Sequence, residues 1–356
     1  MAAITLTSVT FEKARARIVD DVSLAIPDGA ICVLTGPTGG GKSTLLKLVA
    51  GQLPLTSGEI EIGDAARQSW RIGRDDIAEL IDPAALPATG NFYDAIAGGL
   101  RGRGLKRKAA QEDALKGADA LGIGALMPRQ VASASGGERA LAAFARAYAR
   151  APRALLLDEP FAGLPSARRI ALRRELRRLQ RESGVTTVLA TQDTEDALAL
   201  GDLLAVMDCG RIVGSGSAEA VYDRPTDIAV ARLFGAPPMN LLPVRANQTG
   251  LSLEDGFNLG GTSVMTKATF AWLGVRPEDL FVLPEGSLSP GGAKFPVIVE
   301  EIERAGGSFL VHGRVGPHLM VARLTERPSA EAGGRLMLGA RAERLHMFDA
   351  ETGGRL

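Results

Sequence analysis

A parallel α/β domain followed by a small all-β domain is the fold class this sequence predicts, and three observations carry the prediction. Ala30-Ile31-Cys32-Val33-Leu34-Thr35 is a short apolar run rich in β-branched residues, as a buried parallel strand should be. It leads directly into Gly36-Pro37-Thr38-Gly39-Gly40-Gly41-Lys42-Ser43-Thr44, after which Leu45, Leu46, Leu48, Val49 and Ala50 follow at helical spacing up to a terminating Gly51. Beyond Pro237-Pro238 the pattern changes to short strand-like runs separated by turns.

The glycine stretch fits G-x-x-x-x-G-K-[ST], the P-loop, in the strand–loop–helix setting that the motif requires. Its glycines let consecutive backbone N–H groups turn inward on phosphate oxygens, and the following helix adds a partial positive charge at its N-terminus. Lys42 is expected to reach the β- and γ-phosphates of ATP, and the Ser43 hydroxyl to ligate Mg²⁺. Downstream, Ala154-Leu155-Leu156-Leu157-Asp158-Glu159-Pro160 is an apolar strand ending in two acids. In a P-loop protein that strand is expected to lie beside the P-loop strand, with Asp158 holding Mg²⁺ and Glu159 polarising a water near the γ-phosphate.

The rest of the chain frames these motifs. Residues 3–26 read as antiparallel strands ended by Pro27-Asp28-Gly29, and Ile60-Glu61-Ile62 and Ile77 to Ile81 as further strands. Residues 83–150 are mostly helical in pattern, with Ala-rich, proline-free runs from Ala109 to Leu121 and from Glu138 to Arg150. Between them, Ser135-Gly136-Gly137-Glu138 opens a helix and makes a second potential anion site. Seven arginines crowd residues 166–182 beside a Leu172, Leu176, Leu179 stripe. A nucleic-acid patch and a solvated helix face are the two readings. With 41 Lys+Arg against 41 Asp+Glu over 356 residues, the neutral chain favours the solvated face and no nucleic acid. Asp208-Cys209-Gly210 reads as a hairpin turn. Two cysteines far apart in sequence suit a reducing compartment. With no long apolar run, the protein is expected to be soluble and cytoplasmic, with a membrane role only through partners. His312, His318 and His346 are scattered, and each is expected to be a surface or structural histidine rather than a metal ligand.

P-loop, Ala134-Ser135-Gly136-Gly137-Glu138 and Leu155-Leu156-Leu157-Asp158-Glu159-Pro160 together resemble the ATP-binding cassette family, in its order and spacing, over residues 1–235. Ala231 to Leu242, Leu273-Gly274-Val275-Arg276-Pro277-Glu278-Asp279-Leu280 and the ending Glu343 to Asp349 resemble the tail of bacterial sugar-importer ATPases, nearest those for maltose and glycerol phosphate. The resemblance implies a RecA-like core with antiparallel β and helical subdomains, the latter about 83–150. It also implies an OB-like β-barrel over 236–356 for regulation or dimerisation. Two cassettes would face head to tail, so that Ser135, Gly136, Gly137 and Glu138 serve the ATP on a partner's P-loop. The expected partners are two membrane-spanning permease subunits, a periplasmic or extracellular solute-binding protein and a second ATPase subunit. The location is the cytoplasmic face of the inner membrane. Importers of polyamine, iron or molybdate share a similar tail and remain the alternative, ahead of a soluble non-transport cassette protein.

Four positions depart from the family pattern. Asp82 stands where the glutamine that senses γ-phosphate and Mg²⁺ falls, and Gln192 stands at the switch histidine. Pro165 replaces the aspartate after the acidic strand, and Lys13 replaces the aromatic that stacks on adenine, unless Phe11 takes that role. Asp82 is still able to ligate Mg²⁺, and Gln192 to donate one hydrogen bond, though it cannot exchange a proton. The four together predict a site that binds ATP and hydrolyses it poorly, in a heterodimer with an intact cassette rather than a homodimer.

Overall fold

A computed structural model describes the chain except for residues 1, 64, 68–77, 82–85, 88, 102–105, 150–151, 248–249, 254–255, 261–269 and 285–291. Asp82, expected as a metal ligand, therefore lies outside the described residues, as does the first residue of the expected Ile77–Ile81 strand. The chain divides into two compact units, Met1–Glu219 and Ala220–Leu356.

In the first unit, β1 (Ile4–Lys13) and β2 (Ala16–Ile26) form an antiparallel hairpin. Its tight turn places Ala14 and Arg15 both at positive φ, the handedness that matches strand twist. β3 (Ile31–Thr35) is buried along its whole length, as its unbroken apolar sequence requires. α1 (Lys42–Val49) follows the glycine loop and buries Leu45, Leu46, Leu48 and Val49. β4 (Ser57–Ile62) and β5 (Ala65–Arg67) complete a four-stranded antiparallel sheet in the order β2-β1-β4-β5. After β6 (Ala78–Ile81) come three helices, α2 (Phe92–Arg101), α3 (Arg107–Ala120) and α4 (Gly136–Tyr148). The alanines explain how α3 and α4 approach. Ala110, Ala114, Ala118, Ala142 and Ala145 are buried, and a Cβ on Gly117 would stand 2.3 Å from the Ala145 carbonyl oxygen.

β7 (Ala154–Asp158), β8 (Thr186–Ala190) and β9 (Leu203–Asp208) join β3 and β6 in parallel, and β10 (Arg211–Gly216) closes one edge antiparallel. The order is β10-β9-β3-β8-β7-β6. This corrects one expectation: the acidic strand is not beside the P-loop strand, because β8 pairs with both and separates them. α5 (Ser166–Ser183) buries the Leu172, Leu176, Leu179 stripe, and α6 (Thr194–Leu200) follows β8. Ion pairs tie down much of the arginine face of α5: Arg169 with Asp193, Arg173 with Asp196, Arg177 with Asp202, and Arg178 with Glu175 and Glu182.

Among the described residues, the second unit holds ten antiparallel strands in one curled sheet: β11 (Asn240–Asn247), β12 (Gly250–Ser252), β13 (Asn258–Gly260), β14 (Phe270–Val275), β15 (Phe281–Val282), β16 (Ala293–Ala305), β17 (Ser308–Val315), β18 (His318–Leu324), β19 (Arg335–Ala340) and β20 (Leu345–Asp349). The buried Asn240 side chain straps β11 to β18. Its Nδ2 donates to the Val321 carbonyl at 2.9 Å, and its Oδ1 accepts from the Val321 amide at 2.8 Å.

The division between units falls inside α7 (Ala218–Asp223), upstream of the 235/236 boundary expected from Pro237-Pro238. Contacts made by residues 222–234 account for the difference. Ala231 of α8 (Ile228–Leu233) packs with Met239 and Phe348. Arg276, only 2% exposed, donates to the Phe234 carbonyl at 2.9 Å and the Tyr222 carbonyl at 2.5 Å, with its guanidinium over the Tyr222 ring. α8 ends at Leu233, before the two prolines, and packing and hydrogen bonds decide which core it joins.

Candidate functional site

Lys42, Ser43, Asp158, Glu159 and Gln192 converge on one edge of the parallel sheet. Gly36 follows β3, Asp158 ends β7 with Glu159 next, and Gln192 follows β8, so all stand at C-terminal strand ends, where open α/β sheets bind ligands. α1 passes over β8, and this brings the Ser43 hydroxyl to the Asp158 carboxylate, donating at 2.9 Å, although their strands are not neighbours.

The loop is shaped by its glycines at two points that no side chain could occupy. Gly36 has φ +135, and a Cβ there would lie 2.0 Å from the Met207 carbonyl oxygen. Gly41 caps α1 at φ +96, with the Ile18 carbonyl oxygen 2.7 Å from where its Cβ would be. Pro37, Thr38 and Gly39 are exposed at the rim, Gly40 is buried, and Thr44 is half-buried on α1. The opening amides of α1 have no acceptor within the helix and face the loop.

Lys42 is 6% exposed, and its ammonium donates to the Gly36 and Pro37 carbonyls, both at 2.8 Å. Burial pushes its pKa down, opposed by the nearby Glu159 and Asp158 carboxylates. Glu159 is the reverse case. Burial pushes its pKa up, opposed first by Lys42 and then by the Gln192 amide. Its backbone is left-handed at φ +46, a conformation a non-glycine residue holds at a cost of about 1–2 kcal/mol. The Gln192 amide donates to Glu159 Oε1 at 3.0 Å, and the Thr38 hydroxyl donates to Gln192 Oε1 at 2.8 Å. Gln192 thus links the glycine loop to the acidic strand end. Motif reading placed Gln192 at the switch position but missed Thr38 as its partner, since nothing local couples residues so distant in sequence.

These groups fit ATP and Mg²⁺. A buried cation, helix-opening amides without intrahelical acceptors and a closely approachable backbone suit phosphate, and a hydroxyl beside a carboxylate supplies the hard oxygen ligands that Mg²⁺ prefers. Among the described residues, Ser43 and Asp158 are the pair that would hold Mg²⁺.

Ser135 to Glu138 form a separate station. Ser135 caps α4 in a reciprocal box: the Glu138 amide donates to Ser135 Oγ at 3.3 Å, and the Ser135 amide donates to Glu138 Oε2 at 2.8 Å. Arg129 holds the other Glu138 oxygen at 2.7 Å, and together these partners keep the Glu138 carboxyl below its usual range. A Cβ on Gly136 or Gly137 would meet only Leu164 Cδ2, at 3.4 and 3.8 Å, so this chain's own packing does not demand glycine there. Phe11 does not stand in for an adenine-stacking aromatic. It is 8% exposed in the hydrophobic core, whereas Lys13 is exposed near the hairpin turn.

A buried-lysine glycine loop facing a Ser–Asp pair and a strand-end glutamate at the edge of a parallel sheet defines a P-loop nucleotide triphosphatase. Residues 19–162 match the family model described as ABC transporter, and residues 290–347 match the TOBE domain. The sn-glycerol-3-phosphate import ATP-binding protein UgpC of Rhodopseudomonas palustris (strain BisB18) is 36% identical over 348 residues, covering 94% of this chain and 93% of that protein. The protein of the same name from Chromobacterium violaceum is 34% identical and covers 100% of this chain and 96% of its own length. The chain belongs to the ATP-binding cassette transporter family, as an ATP-hydrolysing subunit. Among solved structures, cbiO1 from Clostridium perfringens, part of an ABC transporter complex, aligns with TM-score 0.56 at 22% identity, over 61% of this chain and 89% of that one. A dimeric cassette in a post-hydrolysis state with ADP and Pi aligns with TM-score 0.53 at 22% identity, over 60% and 98%. These two likenesses bear on the fold of the first unit.

Proposed function

We propose that the chain powers uptake of a sugar, polyol or glycerol-type solute, with glycerol 3-phosphate the first substrate to try. The full-length match to relatives named for its import supports that choice. The observation that carries the ATPase reading is the Ser43–Asp158 pair at 2.9 Å, set beside Lys42 and Glu159 on one sheet edge. Mg²⁺–ATP, when bound, would supply the γ-phosphoryl group, which passes to water as the bond to the departing ADP breaks. Lys42 and the loop amides hold its β- and γ-phosphates, and Ser43 and Asp158 hold the metal. Glu159, with its proton affinity raised by burial, accepts the proton of the attacking water. Gln192 keeps Glu159 in register with the loop through Thr38.

In this reading the chain sits at the cytoplasmic face of the inner membrane. It docks there on two membrane-spanning subunits fed by a solute-binding protein. No described helix is long and apolar enough to cross a membrane. The chain also pairs with a second cassette. Ser135, Gly136 and Gly137 complete the partner's ATP site, which would explain glycines that the chain's own packing does not require. Its own site turns ATP over slowly, since Gln192 cannot exchange a proton and Pro165 offers neither carboxylate nor N–H at the seam. The test is uptake of labelled glycerol 3-phosphate, maltose and a polyol into cells carrying the complete importer, with and without this chain. Loss of none of the three uptakes on deletion would refute the substrate class.

A further inference from the structure

The turn between β9 and β10 was legible in the sequence only as a hairpin tip, yet it lies against the phosphate-binding loop. Met207, just before it, puts its carbonyl oxygen 2.0 Å and 2.9 Å from where Cβ atoms on Gly36 and Gly40 would stand. The Gly210 amide donates to the Gly40 carbonyl at 3.2 Å, and the Gly210 carbonyl accepts from the Asp20 amide at 2.9 Å. Gly210 is left-handed at φ +80, and a Cβ on it would stand 2.7 Å from the Ile18 carbonyl oxygen. Arg211, the next residue, grips Asp20 with two nitrogens, at 2.8 and 2.5 Å. The glycine loop, the β9–β10 turn and the Ile18–Asp20 segment of β2 therefore meet in mutual backbone contact, with Gly210 touching both of the others.

We infer that Gly210, anchored by the Arg211–Asp20 pair, is a positioning residue for the phosphate-binding loop. Its amide fixes the Gly40 carbonyl, and so the direction in which the neighbouring loop amides point. Only a residue without a Cβ fits between Ile18 and the loop in the left-handed conformation that aims the amide. The inference rests on the ATP-site reading above. Because the brace acts on loop position alike before and during hydrolysis, its loss should weaken nucleotide binding more than it slows the bound complex.

The test uses the full chain and ADP, titrated calorimetrically, with KM and kcat for ATP measured alongside. Gly210→Ala should raise the ADP dissociation constant about fivefold or more, the worth of one aligned hydrogen bond. KM should rise with it, while kcat stays within about twofold. Arg211→Ala cuts the anchor at an exposed side chain without backbone strain, and should weaken ADP by about two- to fivefold. Gly122→Ala is the control. It is left-handed at φ +62 with no atom within 4 Å of the added Cβ, so it carries the left-handed backbone penalty without the clash, away from the loop, and should leave ADP affinity unchanged. If Gly210→Ala does not fold, Arg211→Ala decides. Folded variants that bind ADP like the parent chain would overturn the inference, as would a Gly122→Ala loss equal to that of Gly210→Ala. A parent chain that does not bind ADP would instead refute the ATP-site reading.

Discussion

Replacing Lys42 by alanine tests the site most directly, and its effect follows from the surroundings of the ammonium. Lys42 is 6% exposed, with two of its three protons engaged by the Gly36 and Pro37 carbonyls at 2.8 Å. At an effective dielectric near 20, a unit charge about 4 Å from a phosphate oxygen contributes about 4 kcal/mol. Removing a buried cation also recovers the desolvation that pulls its pKa down, so the net loss is smaller, about 2 kcal/mol. That is a tenfold to hundredfold loss of ATP and ADP affinity, at 1.4 kcal/mol per tenfold. The fold should survive, because the parallel sheet around β3 and the packing of α1 do not depend on the ammonium. A second consequence separates this from general damage. Lys42 is the leading influence holding Glu159's raised pKa in check, so Glu159 should titrate still higher in Lys42→Ala. Calorimetric titration with Mg²⁺–ADP and Mg²⁺–ATP, beside circular dichroism and thermal melting, is the assay. Parent-like affinity in a folded Lys42→Ala would refute the assignment of this loop to phosphate.

In the assembled transporter, Ser135→Arg should abolish most ATP turnover by blocking the partner's site, whereas Glu159→Gln should reduce it only modestly; collapse with Glu159→Gln in a homodimer would sink the asymmetric pairing. Burial, reinforced by Arg355, pushes the His346 ring down to about 4 from 6.5. Between those values the unfolded chain binds the extra proton, so stability falls as pH drops from 6.5 to 4, by about 3 kcal/mol from this group. Urea unfolding of the parent and of His346→Gln across that range should show the difference in slope. Fragments 1–219 and 220–356 should each fold, the first binding ADP. A fragment starting at 236 should be less stable than one starting at 220, because it loses the Ala231 contact with Met239 and Phe348 and both carbonyl partners of Arg276; equal denaturation midpoints would refute that.

By itself, the sequence determined the chemistry and most of the elements. A glycine loop between a β-branched strand and an apolar helix, and two acids ending a second strand, carry their meaning within a few residues, because phosphate is bound by local backbone and helix geometry. The Leu172, Leu176, Leu179 stripe and the Ala-rich α3 and α4 likewise declare their buried faces through helical spacing. Only the tertiary structure decided what depends on contacts between distant residues. It inserted β8 between β3 and β7. It joined Thr38 to Gln192 and Gln192 to Glu159, and it put Phe11 in the core. It assigned α8 to the second unit through Arg276, and it set the Asp208-Cys209-Gly210 turn against the glycine loop. Sequence spacing fixes which face of a helix or strand is apolar, but not which neighbour covers it; that choice is made by packing and by backbone groups that must find partners once they are buried.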